Sequence, residues 1–420
     1  GSPSTAEDGW AFFRGVRRYV ADNAGRSVVT DDFRAALERE SGLDLAPFFA
    51  QWFTRDAGYP EFEVRWSWDE ANRVARVEVE QVQKPLNGTP SVFSVAVDIE
   101  VRDASGRRTT RVMVDERREV FELAAASRPT WVVFDKYGHV PKRAVTTRAL
   151  GEWLALASED DDPNGRRDAL AALGRALAEG GTQGGTEAER WEIANVVLAR
   201  LEDPQPAVRV AAARALARVY TPASNPIAQG LMRAASSDSE AGVRVAALTT
   251  LADWKENKEF ADFAREQYAA RFSWATMAGA AALLVAAQDE SALPWIVEQL
   301  QAESSHTALL SGLLNALSRV PGSAADELMH GCAVDERADA TVRSVAVRLL
   351  GARKPAGAVR RDFVALLAVT RDYQLQGALI EALSTIGDAQ ALEALREFYV
   401  RSVDSRQKRA IEAALSRSGI

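Results

Sequence analysis

The sequence predicts a multi-domain α+β chain: a short helical segment, then an antiparallel β-sandwich, then an α-solenoid of helix pairs. Apolar residues recur at three-and-four spacing from Trp10 to about Gly58, and the period changes to two between Glu61 and about Arg143. Leucines then recur at one long interval: Leu216, Leu251, Leu283, Leu317, Leu350, Leu383 and Leu415 follow one another by about 32 to 35 residues, a period that marks stacked repeats. The expected segments are 1–60, the opening helices; 61–145, the sandwich; 146–165, a helix and an acidic linker; and 166–420, the solenoid.

In the opening segment, Phe12, Phe13, Val16, Tyr19 and Val20 share a helical face, and the stretch from Asp22 to Gly25 stops that helix. Thr30 is the expected N-cap of a second helix. Asp31 and Asp32 place negative charge in its first turn, where the dipole favours it, and Gly42 suits its C-terminus. Asp44 opens a third helix, with Pro47 in a first turn where no intrahelical N–H is lost. Aromatic residues at helical spacing are usually core, so Phe48, Phe49 and Trp52 are expected inside.

In the second segment Phe93, Val95, Val97, Ile99 and Val101 alternate with Ser94, Ala96, Asp98 and Glu100. Ala75, Val77 and Val79 alternate likewise with Arg76, Glu78 and Glu80, as half-buried strands require. Asn87-Gly88, Ser105-Gly106 and Tyr137-Gly138 mark turns, and about seven short strands make a sandwich. A helix is expected from Thr146 to Ala157.

Beyond the acidic stretch 159–165 the first helix pair is interrupted by a glycine-rich loop at 180–185. Four residues before each repeat leucine stands a small or apolar residue (Ala212, Ala247, Gly279, Leu313, Ala346, Leu379, Ile411), which sets a buried stripe on one helix face. Phrases such as Val208-Arg209-Val210-Ala211-Ala212 and Val243-Arg244-Val245-Ala246-Ala247 resemble HEAT repeats; a plain helical bundle is the alternative. Asp203 precedes Arg209, and Asp238 precedes Arg244, by six residues, suggesting an ion-pair ladder between neighbouring repeats. As exposed pairs these would contribute about 0 to 1 kcal/mol each, so the leucine stripe is expected to drive stacking.

Composition excludes several classes. The chain has 420 residues, 47% apolar and 26% charged, with a net charge of -8, which gives no general attraction to nucleic acid. One cysteine, Cys332, excludes an internal disulfide framework and fits a reducing compartment, favouring the cytoplasm. No apolar run approaches the roughly 18 to 20 residues of a membrane span. Gly1-Ser2 resembles the scar of a removed purification tag, so the natural N-terminus is expected elsewhere.

The opening helices carry a longer phrase: Phe12-Phe13-Arg14-Gly15-Val16-Arg17-Arg18-Tyr19, then Thr30-Asp31-Asp32-Phe33, Ser41-Gly42-Leu43-Asp44-Leu45, Phe48-Phe49, Gln51-Trp52 and Gly58-Tyr59-Pro60. Taken together this series resembles the tail of the catalytic domain in gluzincin zinc aminopeptidases, the family of membrane alanyl aminopeptidase and leukotriene hydrolase. Trp131-Val132-Val133-Phe134-Asp135-Lys136-Tyr137-Gly138 is similar to the closing strand and turn of that family's sandwich. The resemblance implies a C-terminal part of such an enzyme, the order of parts being catalytic tail, sandwich and HEAT-like helices.

The family's zinc site needs two histidines four apart on one helix face with a glutamate between them, plus a further glutamate ligand. Here the histidines are His139, His306 and His330; none is followed by glutamate and no two are four apart. No catalytic, cofactor-binding or metal residue is therefore assigned, and zinc is expected only in a catalytic portion outside this sequence. His330 and Cys332 form a weak metal pair without two further ligands. Asp160-Asp161-Asp162-Pro163-Asn164-Gly165 matches half of a calcium loop, but its twelfth position is Ala171, which lacks the bidentate carboxylate; a solvated linker capping the next helix is the alternative. The resemblance implies a parent that removes N-terminal residues from peptides, with the sandwich bracing the catalytic domain and the array walling the substrate chamber. The expected partners are the parent's own N-terminal and catalytic domains, its peptide substrate and other proteins on the solenoid surface. An interaction scaffold on an inactive peptidase body, as in the peptidase-like subunit of a general transcription factor, is the second reading.

Overall fold

Three helices, α1 (Ala6–Asn23), α2 (Thr30–Ser41) and α3 (Ala46–Trp52), open the chain. A computed structural model describes residues 6–53, 58–85, 88–179, 186–219, 221–254, 258–287, 292–302, 306–355 and 357–417. The chain divides into two units, Gly1–Leu156 and Ala157–Ile420. The loop expected at 180–185 and Asn87 of one expected turn lie outside the described residues.

Gly15 lets α1 approach α2 closely, since a Cβ there would stand 2.7 Å from Leu37 Cδ2 and 3.1 Å from its Cα. The cap of α2 is Val29 rather than Thr30. Asp32 reaches back from the first turn to accept the Val29 N–H at 2.9 Å, so the acid does from inside the helix what the Thr30 hydroxyl was expected to do. Gly42, at φ 69°, closes α2 by donating its N–H to Glu38 O.

In α3 the core expectation holds for Phe49 and fails for Phe48, which is 52% exposed. Phe49 turns toward Phe33 of α2, with ring centroids 6.1 Å apart, while Gln51 and Trp52 turn toward the strand segment. The Gln51 amide donates to Ser94 O at 3.1 Å and accepts the Ser94 N–H at 2.9 Å, and Trp52 lies 5.5 Å from Phe93. A helix of seven residues cannot bury all round against these neighbours, and Phe48 falls on the remaining face with exposed Phe53.

Seven strands follow: β1 (Glu61–Asp69), β2 (Val74–Gln81), β3 (Val95–Asp103), β4 (Gly106–Val114), β5 (Arg118–Ala124), β6 (Trp131–Phe134) and β7 (Arg143–Thr146). They form sheets of order β5-β2-β1-β7 and β4-β3-β6. The predicted inward residues meet in one core: Ala75, Val77 and Val79 with Phe93, Val95, Val97, Ile99 and Val101. Turns fall at Gly106, with φ 127°, and at Tyr137 and Gly138, with φ 68° and 66°.

Three details differ from the alternation. Thr146 ends β7 instead of opening a helix, and β7 pairs parallel with β1 from Glu61 opposite Arg143 to Val64 opposite Thr146. β2 takes one edge of β1; the β-branched Val145 and Thr146 suit the other, so helix α4 begins only at Leu150 and runs to Glu159. Phe93 precedes β3 because the Gln81 side chain replaces a strand partner, accepting the Phe93 N–H and donating to its carbonyl, both at 2.8 Å. Glu100, expected on the solvent face, is 2% exposed because Trp131 and Lys136 cover it.

The rest is helix pairs. α5 (Pro163–Ala178), α7 (Pro206–Ala215), α9 (Ala241–Asp253), α11 (Trp274–Ala286), α13 (Thr307–Leu317), α15 (Ala340–Ala352), α17 (Tyr373–Ile386) and α19 (Ser405–Arg417) pack in series. The alternate helices are α6 (Glu187–Ala199), α8 (Pro226–Ser237), α10 (Ala261–Ala269), α12 (Ala292–Ala302), α14 (Ser323–Val334), α16 (Gly357–Val369) and α18 (Ala389–Arg401). Six of the repeat leucines, Leu216 to Leu383, are fully buried, and so are their partners four residues earlier; Leu415, on α19, is half-buried. Leu350→Ala is therefore expected to cost roughly 2 to 5 kcal/mol, and Leu415→Ala less, in urea unfolding followed by circular dichroism. Equal losses at the two positions would contradict a stripe whose strength follows burial.

Candidate functional site

The three histidines stand in separate environments. The His139 backbone N–H donates to Asp135 Oδ1 at 3.1 Å in the turn after β6. The His306 ring stacks on Trp274 with centroids 4.0 Å apart, and His330 Nε2 lies 2.9 Å from Asp362 Oδ2 on α16. Among the described residues no three His, Cys, Asp or Glu side chains gather as a metal site. A catalytic zinc takes three protein ligands, and the residues present do not fit one. Burial, with the Asp335 charge adding to it, pushes the Cys332 thiol pKa up, which disfavours the thiolate that a metal pair with His330 would need.

The acidic linker serves as a helix entrance. Asp162 caps α5 by accepting the Asn164 N–H at 2.9 Å, and Asp160 Oδ1 accepts the Asp162 N–H at 3.0 Å. These contacts match the expected capping and engage two of the carboxylates a calcium loop would use, but the linker is not solvated there, since Asp160 and Asp162 are 2% and 7% exposed.

The ladder is present, with a different character from that expected. Arg166 grips Asp203 through two bonds of 2.8 and 2.9 Å, and Arg209 grips Asp238 through two of 2.7 and 2.8 Å. Each arginine also donates to the carbonyl of the aspartate six residues before it: Arg166 to Asp160 O at 2.7 Å, Arg209 to Asp203 O at 2.9 Å and Arg244 to Asp238 O at 2.6 Å. The spacing of six thus fixes a carbonyl contact within a repeat, while the carboxylate reaches the preceding repeat. Neither pair is exposed: Arg166 and Asp203 are buried, 10% and 2% accessible at their side chains, and Arg209 and Asp238 are partly buried, at 13% and 8%. The series ends at Arg244, whose guanidinium stands 5.0 Å from the Phe272 ring.

Alongside the ladder, α5 and α7 enclose an open groove of about 690 Å³. Its floor is small and apolar (Ala171, Gly174, Ala211), and Arg167, Arg175, Arg214 and Arg218 line it with Asp168. Sequence reasoning passed over these arginines. The spacing that brings Arg167, Ala171, Arg175 and Ala178 to one exposed face of α5 was the available signal, obscured because arginine is spread through the whole chain.

Some residues that carry the aminopeptidase resemblance build interior contacts, while Phe12, Phe13 and Phe48 are exposed. Gln51 and Trp52 join α3 to the sandwich, and Trp131, Asp135 and Lys136 fix its closing strand and turn. Asp135, for example, accepts the backbone N–H groups of His139 and Val140 and pairs with Lys142.

An aromatic helical lead, a two-sheet sandwich and serial helix pairs follow one another in the order that the aminopeptidase resemblance implies. Residues 150–252 and 332–416 match the family described as HEAT repeats. A segment of 124 residues, 27% of this chain, is 29% identical to aminopeptidase N of Haemophilus influenzae and covers 14% of that protein. The crystal structure of Legionella pneumophila aminopeptidase A in complex with aspartic acid is similar in fold, with a TM-score of 0.65 and 14% identity over 98% of this chain and 56% of that one. This chain therefore spans little more than half of that structure and a small part of the Haemophilus protein.

Proposed function

We propose that this chain is the non-catalytic C-terminal portion of a zinc metallopeptidase resembling an aminopeptidase. On this reading the parent hydrolyses N-terminal residues from peptides, the sandwich braces its catalytic domain, and the helical array walls the substrate chamber. The observation that carries the reading is the uncovered aromatic face of the first helices: Trp10 and Phe13 are each 64% exposed, with Phe12, Phe48 and Phe53 about half exposed. Exposed aromatic surface of this kind favours an interaction site, and Phe12, Phe13 and Phe48 belong to the phrase that resembles the tail of a peptidase catalytic domain. Among the described residues no three His, Cys, Asp or Glu side chains gather as a metal site, so turnover on this reading belongs to the parent.

Aminoacyl chromogenic substrates, assayed together with bound metal, test the proposal. The chain alone is expected to show neither turnover nor stoichiometric zinc, and a longer polypeptide carrying the parent's preceding residues is expected to show both. Turnover by the chain alone would overturn the reading. The groove between α5 and α7 favours a second reading, an interaction scaffold on an inactive peptidase body. An eroded His-Glu-x-x-His motif in the preceding residues, with no turnover by the longer polypeptide, would decide for it.

A further inference from the structure

We infer that the groove between α5 and α7 binds an extended acidic peptide segment of a partner protein. The inference goes beyond the proposed peptidase role, because it requires neither zinc nor turnover. The chain as a whole carries a net charge of -8, yet among the described residues four arginines line this one groove with one acidic residue, Asp168; of the four, Arg167 donates to Asn164 Oδ1 at 3.0 Å. Among the described residues no carboxylate pairs with Arg175, Arg214 or Arg218, although the neighbouring Arg166 and Arg209 are fully engaged in the ladder. Charge is therefore available in the groove that is already used up beside it.

The geometry suits a strand-like ligand. Arg167 and Arg175 are eight residues apart on α5, about 12 Å along the axis at about 1.5 Å per residue. An extended peptide rising about 3.3 Å per residue brings the carboxylates of residues four apart to nearly that separation. Arg214 lies in the last turn of α7 and Arg218 at the end of the 3-10 turn that follows it; they stand about 6 to 8 Å apart at rises of about 1.5 to 2.0 Å per residue, and match residues two apart. Each guanidinium offers a planar fork that fits a carboxylate through two hydrogen bonds. The alanine and glycine floor admits a peptide backbone, and no aromatic side chain lines the groove to stack a nucleic-acid base.

The test uses the full chain and a fluorescein-labelled glutamate peptide of about ten residues, with a glutamine peptide and a single-stranded uridine oligonucleotide of similar length. Fluorescence anisotropy at low salt is expected to show the glutamate peptide bound at least about tenfold more tightly than either control, with the preference collapsing at high salt. Arg175→Glu combined with Arg214→Glu is expected to weaken binding at least about tenfold. Ala171→Trp, which fills the floor and leaves every charge in place, is expected to weaken it comparably. Arg409→Glu, on the exposed face of α19, is expected to leave binding unchanged. Circular dichroism melts establish that each variant is folded, and the charge reversal and the filled floor serve as independent probes. Equal affinity for glutamate and glutamine peptides, tighter binding of the oligonucleotide, or unchanged glutamate binding in a folded reversal or filled-floor variant would overturn the inference.

Discussion

Asp238→Ala is expected to destabilise the helical array by about 2 to 3 kcal/mol, the cost of removing one partner of a partly buried, doubly hydrogen-bonded ion pair. Asp238 does three things at once. Its carboxylate takes both bonds from Arg209, it accepts the Glu240 N–H at 2.9 Å at the start of α9, and its carbonyl takes the bond from Arg244. The substitution keeps the carbonyl and deletes the carboxylate, leaving a guanidinium that is 13% accessible facing α8 and α9 without its counter-charge. Urea unfolding followed by circular dichroism measures the loss. Combining Asp238→Leu with Arg209→Met is expected to lose less than the single change, because no uncompensated charge remains. A double variant as weak as the alanine variant would show that shape, not charge, holds this joint.

The pH dependence separates the ionic contribution from the rest. Burial alone would raise the Asp238 pKa, but the bonds from Arg209 and the Glu240 N–H, with the charges of Arg209 and Arg244, hold it below the ordinary carboxylate value. A group whose folded pKa is depressed contributes fully above its unfolded pKa, about 3.9, and loses that contribution as pH falls through the folded value. The stability gap between the parent chain and Asp238→Ala should accordingly be constant near neutrality and narrow below about pH 4. A gap that stays constant into acid would assign the loss to packing.

Periodicity was the legible part of the fold. The leucine interval located α7 to α19 because every repeat must bury the same face, and the period of two located the strands because one face of each meets the core. What the sequence concealed was contact between distant elements. Glu100 alternates with apolar neighbours and reads as solvent-facing until Trp131 and Lys136, more than thirty residues later, are folded onto it. Phe48 reads as core because aromatic spacing records a helix face without saying whether a neighbour covers it. The ladder was half legible: the recurring aspartate and arginine were visible, but their carboxylate bonds run from one repeat to the next and bury charges that a single-repeat view leaves in water. The groove arginines carried no local signature, since only the packing of α5 beside α7 distinguishes them from the other arginines of the chain.

Glu100→Ala is expected to cost the sandwich about 3 kcal/mol, by removing a buried carboxylate from an indole N–H and an ammonium. Glu100 Oε1 accepts from Trp131 Nε1 at 3.0 Å and from Lys136 Nζ at 3.2 Å, with Trp131 and Lys136 both at 0% exposure. Removing the carboxylate deprives a buried indole N–H of its acceptor and a buried ammonium of one carboxylate partner, and both lie in the closing strand and turn that carry the aminopeptidase resemblance. Glu100→Gln keeps an acceptor for Trp131 while deleting the charge, so it should fall between the parent chain and the alanine variant. Glu100→Leu with Lys136→Met should recover part of the loss, since apolar side chains of similar volume need no compensation. Near-ultraviolet circular dichroism reports on the packing of the tryptophans and urea titration on stability. Two results distinguish the accounts: recovery in the double variant assigns the cost to the carboxylate partner that the ammonium loses. A double variant weaker than Glu100→Ala would show that β6 is registered against β3 by the ion pair itself, with the turn at Tyr137 and Gly138 depending on it.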